Sequence, residues 1–174
     1  PQLDAVNPCR EKRNRLEDGI RQILFQHGYD EALNDSFMPP HIHELFAEGR
    51  EPVQVRNPIS SRTSFLKNTL LAGLLENMQK NFARGLQRIH LFEKGGCFFI
   101  EKDEIHEKKT LAFVSCGSLD SLHWQKKSIE SDFFHVKGTC ESILECAGLM
   151  SVEFDEADFP VYEPGYSLAV KVKG

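Results

Sequence analysis

No apolar run in this 174-residue chain approaches the ~18 residues that cross a bilayer as a helix, so no membrane partner is expected. Basic residues are not in excess either. Twenty-one Lys and Arg face 26 Asp and Glu, giving a net charge of −5, which argues against a broad phosphate-binding platform. The sequence contains neither a Gly-x-Gly-x-x-Gly fingerprint nor a P-loop, so the two common phosphate cradles are missing. It also lacks any Cys-x-x-Cys. The five cysteines (Cys9, Cys97, Cys116, Cys140 and Cys146) are odd in number, which suggests neither a disulfide framework nor a zinc cluster. Cys116 in an apolar run and Cys140 on an apolar helix stripe read as small buried hydrophobes, and a reducing, cytoplasmic setting follows.

What is present is enough for one core. The hydrophobic fraction is 40% and the charged fraction 27%, ordinary for a globular domain of this length. Asn7-Pro8 can cap and open a helix on which Leu16, Ile20, Ile23 and Leu24 share a face, and Gly28 supplies a left-handed stop. Glu31 to Phe37 reads as a short strand ended by Pro39-Pro40, His41 to Ala47 as one or two helical turns, and Val53 to Arg56 as another short strand.

The strongest periodic signal follows. Thr63 or Ser64 can cap a helix to Arg84, with Leu66, Leu70, Leu71, Leu74, Leu75, Met78 and Phe82 at helical intervals and Gly85 as its stop. Ile89 to Phe92 and Cys97 to Ile100 predict a hairpin about Gly95-Gly96, and the apolar run Thr110 to Cys116 a strand buried on both faces. Asp132 or Ser131 opens a helix from Phe133 to Ala147 ended by Gly148. Met150-Val152-Phe154 and Leu168-Val170-Val172 alternate on either side of the Pro160 to Gly165 loop. Helices flanking hairpin-connected strands point to an α+β fold with a mostly antiparallel sheet.

Several polar groups invite chemical readings and accept plainer ones. His41-x-His43 has metal-pair spacing but no acid-rich segment to complete a site. Asp132, His135 and Lys137 read as a helix cap beside an exposed histidine. For Ser60, Ser61 and Ser64 the sequence offers no obvious catalytic base, and they read as turn and cap residues. The Lys108-Lys109 and Lys126-Lys127 pairs read as solvated loop charges.

Four segments in order carry a resemblance: Arg13 to Gly28-Tyr29; Asn57-Pro58-Ile59-Ser60 leading into Leu66-Lys67-Asn68-Thr69-Leu70-Leu71-Ala72-Gly73-Leu74-Leu75; Asp132-Phe133-Phe134-His135-Val136-Lys137-Gly138; and Glu163-Pro164-Gly165-Tyr166-Ser167-Leu168-Ala169. Together with Asn81-Phe82-Ala83-Arg84-Gly85 and Phe92-Glu93-Lys94-Gly95, they resemble the catalytic-like core domain of the bacterial phenylalanyl-tRNA synthetase beta subunit. Departures fall at Lys67 (an Arg in the family), Thr69 (a Ser), Ala72 (a Pro), His135 (an acid), Glu163 (a His) and Tyr166 (an Arg).

The resemblance implies a class II aminoacyl-tRNA synthetase-like fold used without catalysis. It implies packing against the catalytic alpha subunit in an alpha2beta2 assembly that charges tRNA(Phe), with RNA contact by this segment weak or absent. Residues 1–174 are then expected to be a single synthetase-like core, excised from a larger beta subunit and shortened at its C-terminal side. No cofactor is expected in this chain; ATP and Mg belong to the complete holoenzyme. Adenylate formation needs cations at the phosphates, and Leu91-Phe92-Glu93-Lys94 puts an acid where an arginine would help. No catalytic or metal-ligating residue is therefore expected. The leucine helix, through Leu66, Leu70, Leu71, Gly73, Leu74, Leu75 and Met78, is the expected subunit interface, one stripe on the sheet and the other on a partner helix. A stand-alone synthetase-like paralogue that binds a small molecule or RNA is the alternative.

Overall fold

A computed structural model describes residues 8–47, 49–60, 63–119, 128–159 and 161–172, with side chains from residue 12 onward. The elements run α1 (Pro8–Gln26), β1 (Asp30–Glu31), β2 (Phe37–Met38), α2 (Pro40–Leu45), β3 (Phe65–Leu66), α3 (Leu71–Ala83), β4 (Arg88–Glu101), β5 (Glu104–Gly117), α4 (Phe133–Cys146), β6 (Val152–Glu156) and β7 (Leu168–Val172). The principal sheet has the order β1-β4-β5: β1 is parallel to β4, and β5 pairs antiparallel with β4 along their full length, from Arg88↔Gly117 to Glu101↔Glu104.

Alternation along β4 divides the chain into two packed layers. Phe92 faces α1, where it forms the core with Leu24 and Tyr29; Ile20, Leu111, Phe113 and Ile143 of α4 pack around them. Each such burial stabilises by roughly 1.5–3 kcal/mol relative to exposure. Glu93, Gly95 and Cys97 point the other way, towards Lys67, Leu70 and α3. Gly28, at φ +82°, ends the α1 segment, as expected from its freedom in the left-handed region. Gly85 and Gly148 do the same after α3 and α4. Asp132 caps α4, its carboxylate accepting from the His135 backbone N–H at 2.9 Å. The β6–β7 ribbon brings together the two alternating segments expected near the end of the chain. Asn7, Ser61, Lys126, Lys127 and Pro160 lie outside the described residues.

Several expectations need correction. Val53 to Arg56 forms no strand, only an isolated antiparallel bridge from Gln54 to Phe65. Gly95-Gly96 is not a turn: β4 runs straight through it, and the chain reverses at Lys102 (φ 53°) and Asp103 (φ 64°). Two consecutive positive φ values match the strand twist of a two-residue hairpin. The glycines serve close packing instead. A Cβ on Gly95 would meet Leu70 Cδ2 at 3.3 Å, and one on Gly96 would meet Glu107 Oε1 at 2.5 Å.

The Thr110 to Cys116 run is half-buried at a sheet edge rather than buried on both faces; β4 holds the centre. Glu31 to Phe37 is not one strand, because its two ends pair with different partners, β1 with β4 and β2 with β3. Lys108-Lys109 lies within β5, not in a loop.

The leucine helix begins at Leu71, not at Ser64. Phe65-Leu66 is drawn into pairing with Phe37-Met38, and the Leu66 N–H donates to Val53 O at 2.9 Å. Thr69 Oγ1 accepts the Leu71 N–H at 3.1 Å, while Thr63 closes a local turn with Ser60. Leu66 matches the helical spacing only by coincidence.

Because Lys102 and Asp103 occupy a conformation that costs side-chain-bearing residues energy, Lys102→Asn with Asp103→Gly should stabilise the chain by about 1–2 kcal/mol. Urea unfolding checks this; a lowered midpoint would mean that the native side chains themselves hold the hairpin.

Candidate functional site

The α3 side of β4 carries a buried charge network. Lys67 Nζ donates to Glu93 Oε1 at 2.7 Å, and Asn34 Nδ2 donates to Glu93 Oε2 at 2.8 Å. Asn34 Oδ1 in turn accepts from Asn77 Nδ2 of α3 at 2.8 Å. Both carboxylate oxygens are thus engaged, and the β3–α3 connection, the β1–β2 loop, α3 and β4 are tied together. Sequence reading singled out Lys67 and Glu93 separately; only tertiary structure pairs them, and Asn34 and Asn77 carried no local signal. A groove of about 990 Å³ is lined by Lys67 and Glu93 and, from α2, β2 and α3, by Leu45, Phe37 and Leu75. Chemically the network is self-neutralised. Its cation is spent on its own carboxylate, so it presents no preorganised positive charge for a phosphate.

The expected interface residues divide between core and surface. Leu70 and Leu74 are buried, and Leu66 in β3, Leu71 and Met78 are half-buried. Leu75 is 44% exposed, and Phe82 on the same side of the helix is 63% exposed. Room at Gly73 is taken up within the chain: a Cβ there would meet Asn34 Cγ at 2.9 Å.

The opposite face sets His90 and His135 against Tyr29 with His27 beside His135, and of these three the sequence reading noted only His135. Contrary to that reading, His135 is not exposed. Its ring stacks on Tyr29 with centroids 5.9 Å apart and lies 6.1 Å from His90 and 6.4 Å from His27. Tyr29 Oη lies 3.4 Å from His135 Nε2. His90 Nδ1 contacts Ser115 Oγ at 2.6 Å, and His27 Nδ1 contacts Thr139 Oγ1 at 3.0 Å. Burial lowers the His135 pKa, with His90 and His27 adding to the effect and Asp132 opposing it. Burial raises that of Tyr29, against hydrogen bonds from Thr139 and Ser115. Lys137 pairs with Glu141 on α4 and sits 4.5 Å from the Phe154 ring centroid, a structural rather than acid–base placement. His43 is buried against Phe65, which lowers its pKa, and His41 is exposed; among the described residues no cluster suits a metal ion.

Two outcomes follow. Lys67→Met should destabilise by about 3–5 kcal/mol, because it leaves the Glu93 carboxylate buried without its cation, and Lys67→Met with Glu93→Leu should recover much of that loss. A double-mutant cycle in urea measures the coupling; additive costs would dismiss the pair as a structural unit.

The His135 effect has a definite sign. Its folded pKa is depressed, so below the free imidazole value of about 6.5 the unfolded chain binds the proton first. The stability it contributes is complete at neutral pH and is lost as pH falls through the lower folded value. His135→Gln should therefore flatten the fall in unfolding midpoint between about pH 7 and 5. His43, which titrates in the same direction, remains in both proteins, so an unchanged slope would acquit His135.

Comparison with known proteins agrees with this geometry. The family described as phenylalanyl tRNA synthetase beta chain CLM domain matches over residues 1–174. The phenylalanine–tRNA ligase beta subunit of Pseudomonas fluorescens is 33% identical over 156 residues, covering 89% of this chain and 20% of that protein. That of Methylococcus capsulatus is 32% identical over 168 residues, covering 97% and 21%. The chain therefore spans about a fifth of the length of these curated relatives. Among solved structures, a pyrrolysyl-tRNA synthetase from Desulfitobacterium hafniense is similar with a TM-score of 0.59 and 16% identity, over 83% of this chain and 49% of that one. At that identity the likeness concerns the fold alone: the α+β architecture is a class II synthetase-like one. The chain belongs to the phenylalanyl-tRNA synthetase beta chain CLM domain family.

Proposed function

We propose that this chain is a noncatalytic core module of a phenylalanine–tRNA ligase beta subunit, which packs against the catalytic alpha subunit and supports an alpha2beta2 assembly that charges tRNA(Phe). The carrying observation is the Lys67–Glu93 pair on a synthetase-like sheet. The cation of this network is already neutralised, and the acid beside it has both oxygens hydrogen-bonded. Phenylalanine activation, ATP and Mg are assigned on this reading to the alpha subunit, and any tRNA contact by this module is weak. A cytoplasmic setting goes with it. Family membership disfavours a stand-alone paralogue.

The docking surface in this reading is the outer stripe of α3. Leu70 and Leu74 are already committed to the core, whereas Leu75 and Phe82 stand in solvent with Leu71 and Met78 beside them. A few large apolar side chains at the centre of a contact commonly dominate its affinity. Leu75→Glu with Phe82→Glu should weaken capture by purified alpha subunit about tenfold or more while circular dichroism stays native. A folded variant that captured alpha at undiminished affinity would move the interface elsewhere. The same preparation, free of alpha, should give no phenylalanine-dependent ATP–pyrophosphate exchange; measurable exchange would sink the noncatalytic reading.

A further inference from the structure

The first turns of α4 are held by polar contacts more than by packing. Phe133, Phe134 and Val136 are exposed, and the helix reaches the hydrophobic core only later, through Ile143. The groups that face inward before that point are His135, half-buried, and Thr139, wholly enclosed. A segment with few buried apolar contacts can open locally while the rest of a domain stays folded.

Hydrogen-bond directions around these turns are forced. A carbonyl only accepts, so His90 Nε2, 2.8 Å from the Ser118 carbonyl oxygen, carries a proton. A neutral His90 therefore has a bare Nδ1, and the Ser115 hydroxyl at 2.6 Å donates to it. With its one proton spent, Ser115 Oγ accepts from Ser131 Oγ at the entry to α4. The Ser131 N–H donates to the Gly117 carbonyl at 2.8 Å, so the entry to α4 is tied to β4 through the end of β5. On the far side, Thr139 Oγ1 donates to the His135 carbonyl at 3.0 Å and hence accepts from His27 Nδ1.

Acid rewrites this pattern. A proton on His90 Nδ1 takes away the acceptor that Ser115 uses, and when Ser115 turns round Ser131 loses its own. His135, 6.1 Å from His90, is a poor place for a second charge: burial lowers its pKa, and His90 and His27 add to the effect. The surroundings offer little compensation. Arg88 of β4 brings another cation to the bare face of Gly28, beside Tyr29, and burial keeps Tyr29 itself neutral. Lys137 is turned to Glu141, and Glu130 is exposed beside Ser128. Asp132 opposes the effect on His135, but it already accepts from the His135 backbone N–H. Because the folded His135 pKa is depressed, the attachment it supports is complete at neutral pH and is lost as pH falls through that folded value.

We propose that His90 and His135 form a pH-sensitive latch: neutral, they hold the first turns of α4 on the sheet, and protonated, they release those turns while the core around Leu24 and Phe92 stays folded. The latch lies on the side of β4 away from α3, so it stands whether or not the α3 stripe docks a partner.

The starting state and the release are separately measurable on the 174-residue chain. Imidazole nitrogen chemical shifts at about pH 7.5 should show His90 as the neutral Nε2–H tautomer. A charged ring or the Nδ1–H tautomer would overturn the proposal. Amide exchange, corrected for the intrinsic effect of pH, should show protection at Ser131 and Val136 falling about tenfold or more between about pH 7.5 and 5, while β4 amides keep theirs. His90→Gln retains an N–H for the Ser118 carbonyl but takes up no proton, and His135→Gln removes the other titrating ring. With both changed, and His43 still present, the acid-induced loss at α4 should disappear. The latch is rejected if α4 and β4 amides lose protection in parallel, if α4 protection ignores pH, or if the folded double variant responds to acid as the parent does. Should the double variant fail to fold, the comparison of α4 with β4 in the parent chain decides by itself.

Discussion

The two-residue period of β4 is the constraint on which the remaining structure depends. Successive side chains of Phe92 and Glu93 leave the strand in opposite directions, one into an aromatic core under α1 and α4, the other into a polar network beneath α3. A slip of one residue in register would exchange them, placing a carboxylate among Leu24 and Tyr29 and a phenyl ring opposite Lys67. Both exchanges are costly, so the long pairing with β5 is specified from both faces at once. Such double specification suits a sheet whose β1 edge holds only two residues.

The polar network is not an obvious source of stability. Buried ion pairs often only offset their own desolvation, and an apolar replacement of both partners is commonly tolerated. Their geometric demand is sharper than that of a hydrocarbon contact. Lys67, Asn34 and Glu93 must all arrive in place for the carboxylate to be satisfied, which ties the segment before α3 to the β1–β2 loop. A scaffold gains definition from this, and a phosphate would find no uncommitted cation there.

Much of this was legible in the sequence where local physics decides the outcome. The α1 and α4 boundaries follow from Gly28, Asp132 and Gly148, and the α+β class from the succession of periods. Legibility failed where distant partners compete with local pattern. Leu66 has helical spacing yet pairs as strand with Phe37, and Gly95-Gly96 resembles a turn yet lies mid-strand. Ordinary turn chemistry also misled, since Lys102-Asp103 is a poor hairpin dipeptide beside a glycine pair. At the candidate site, Lys67 stood out only as a departure from the family pattern and Glu93 only as an acid where a cation would help. The histidine cluster was not, because His27, His90 and His135 come from three elements that only the fold brings together.

Gly95 binds the histories of two segments. Its missing side chain is the space occupied by Leu70, with Lys67 Nζ only slightly farther from the position a Cβ would take. Alanine at 95 would ask the tip of Leu70 to give way by a few tenths of an ångström at the start of α3. A change at 67 would alter the same pocket of space from the other side. Positions 67, 70 and 95 therefore share one volume, in which bulk added at one has to be taken up at another.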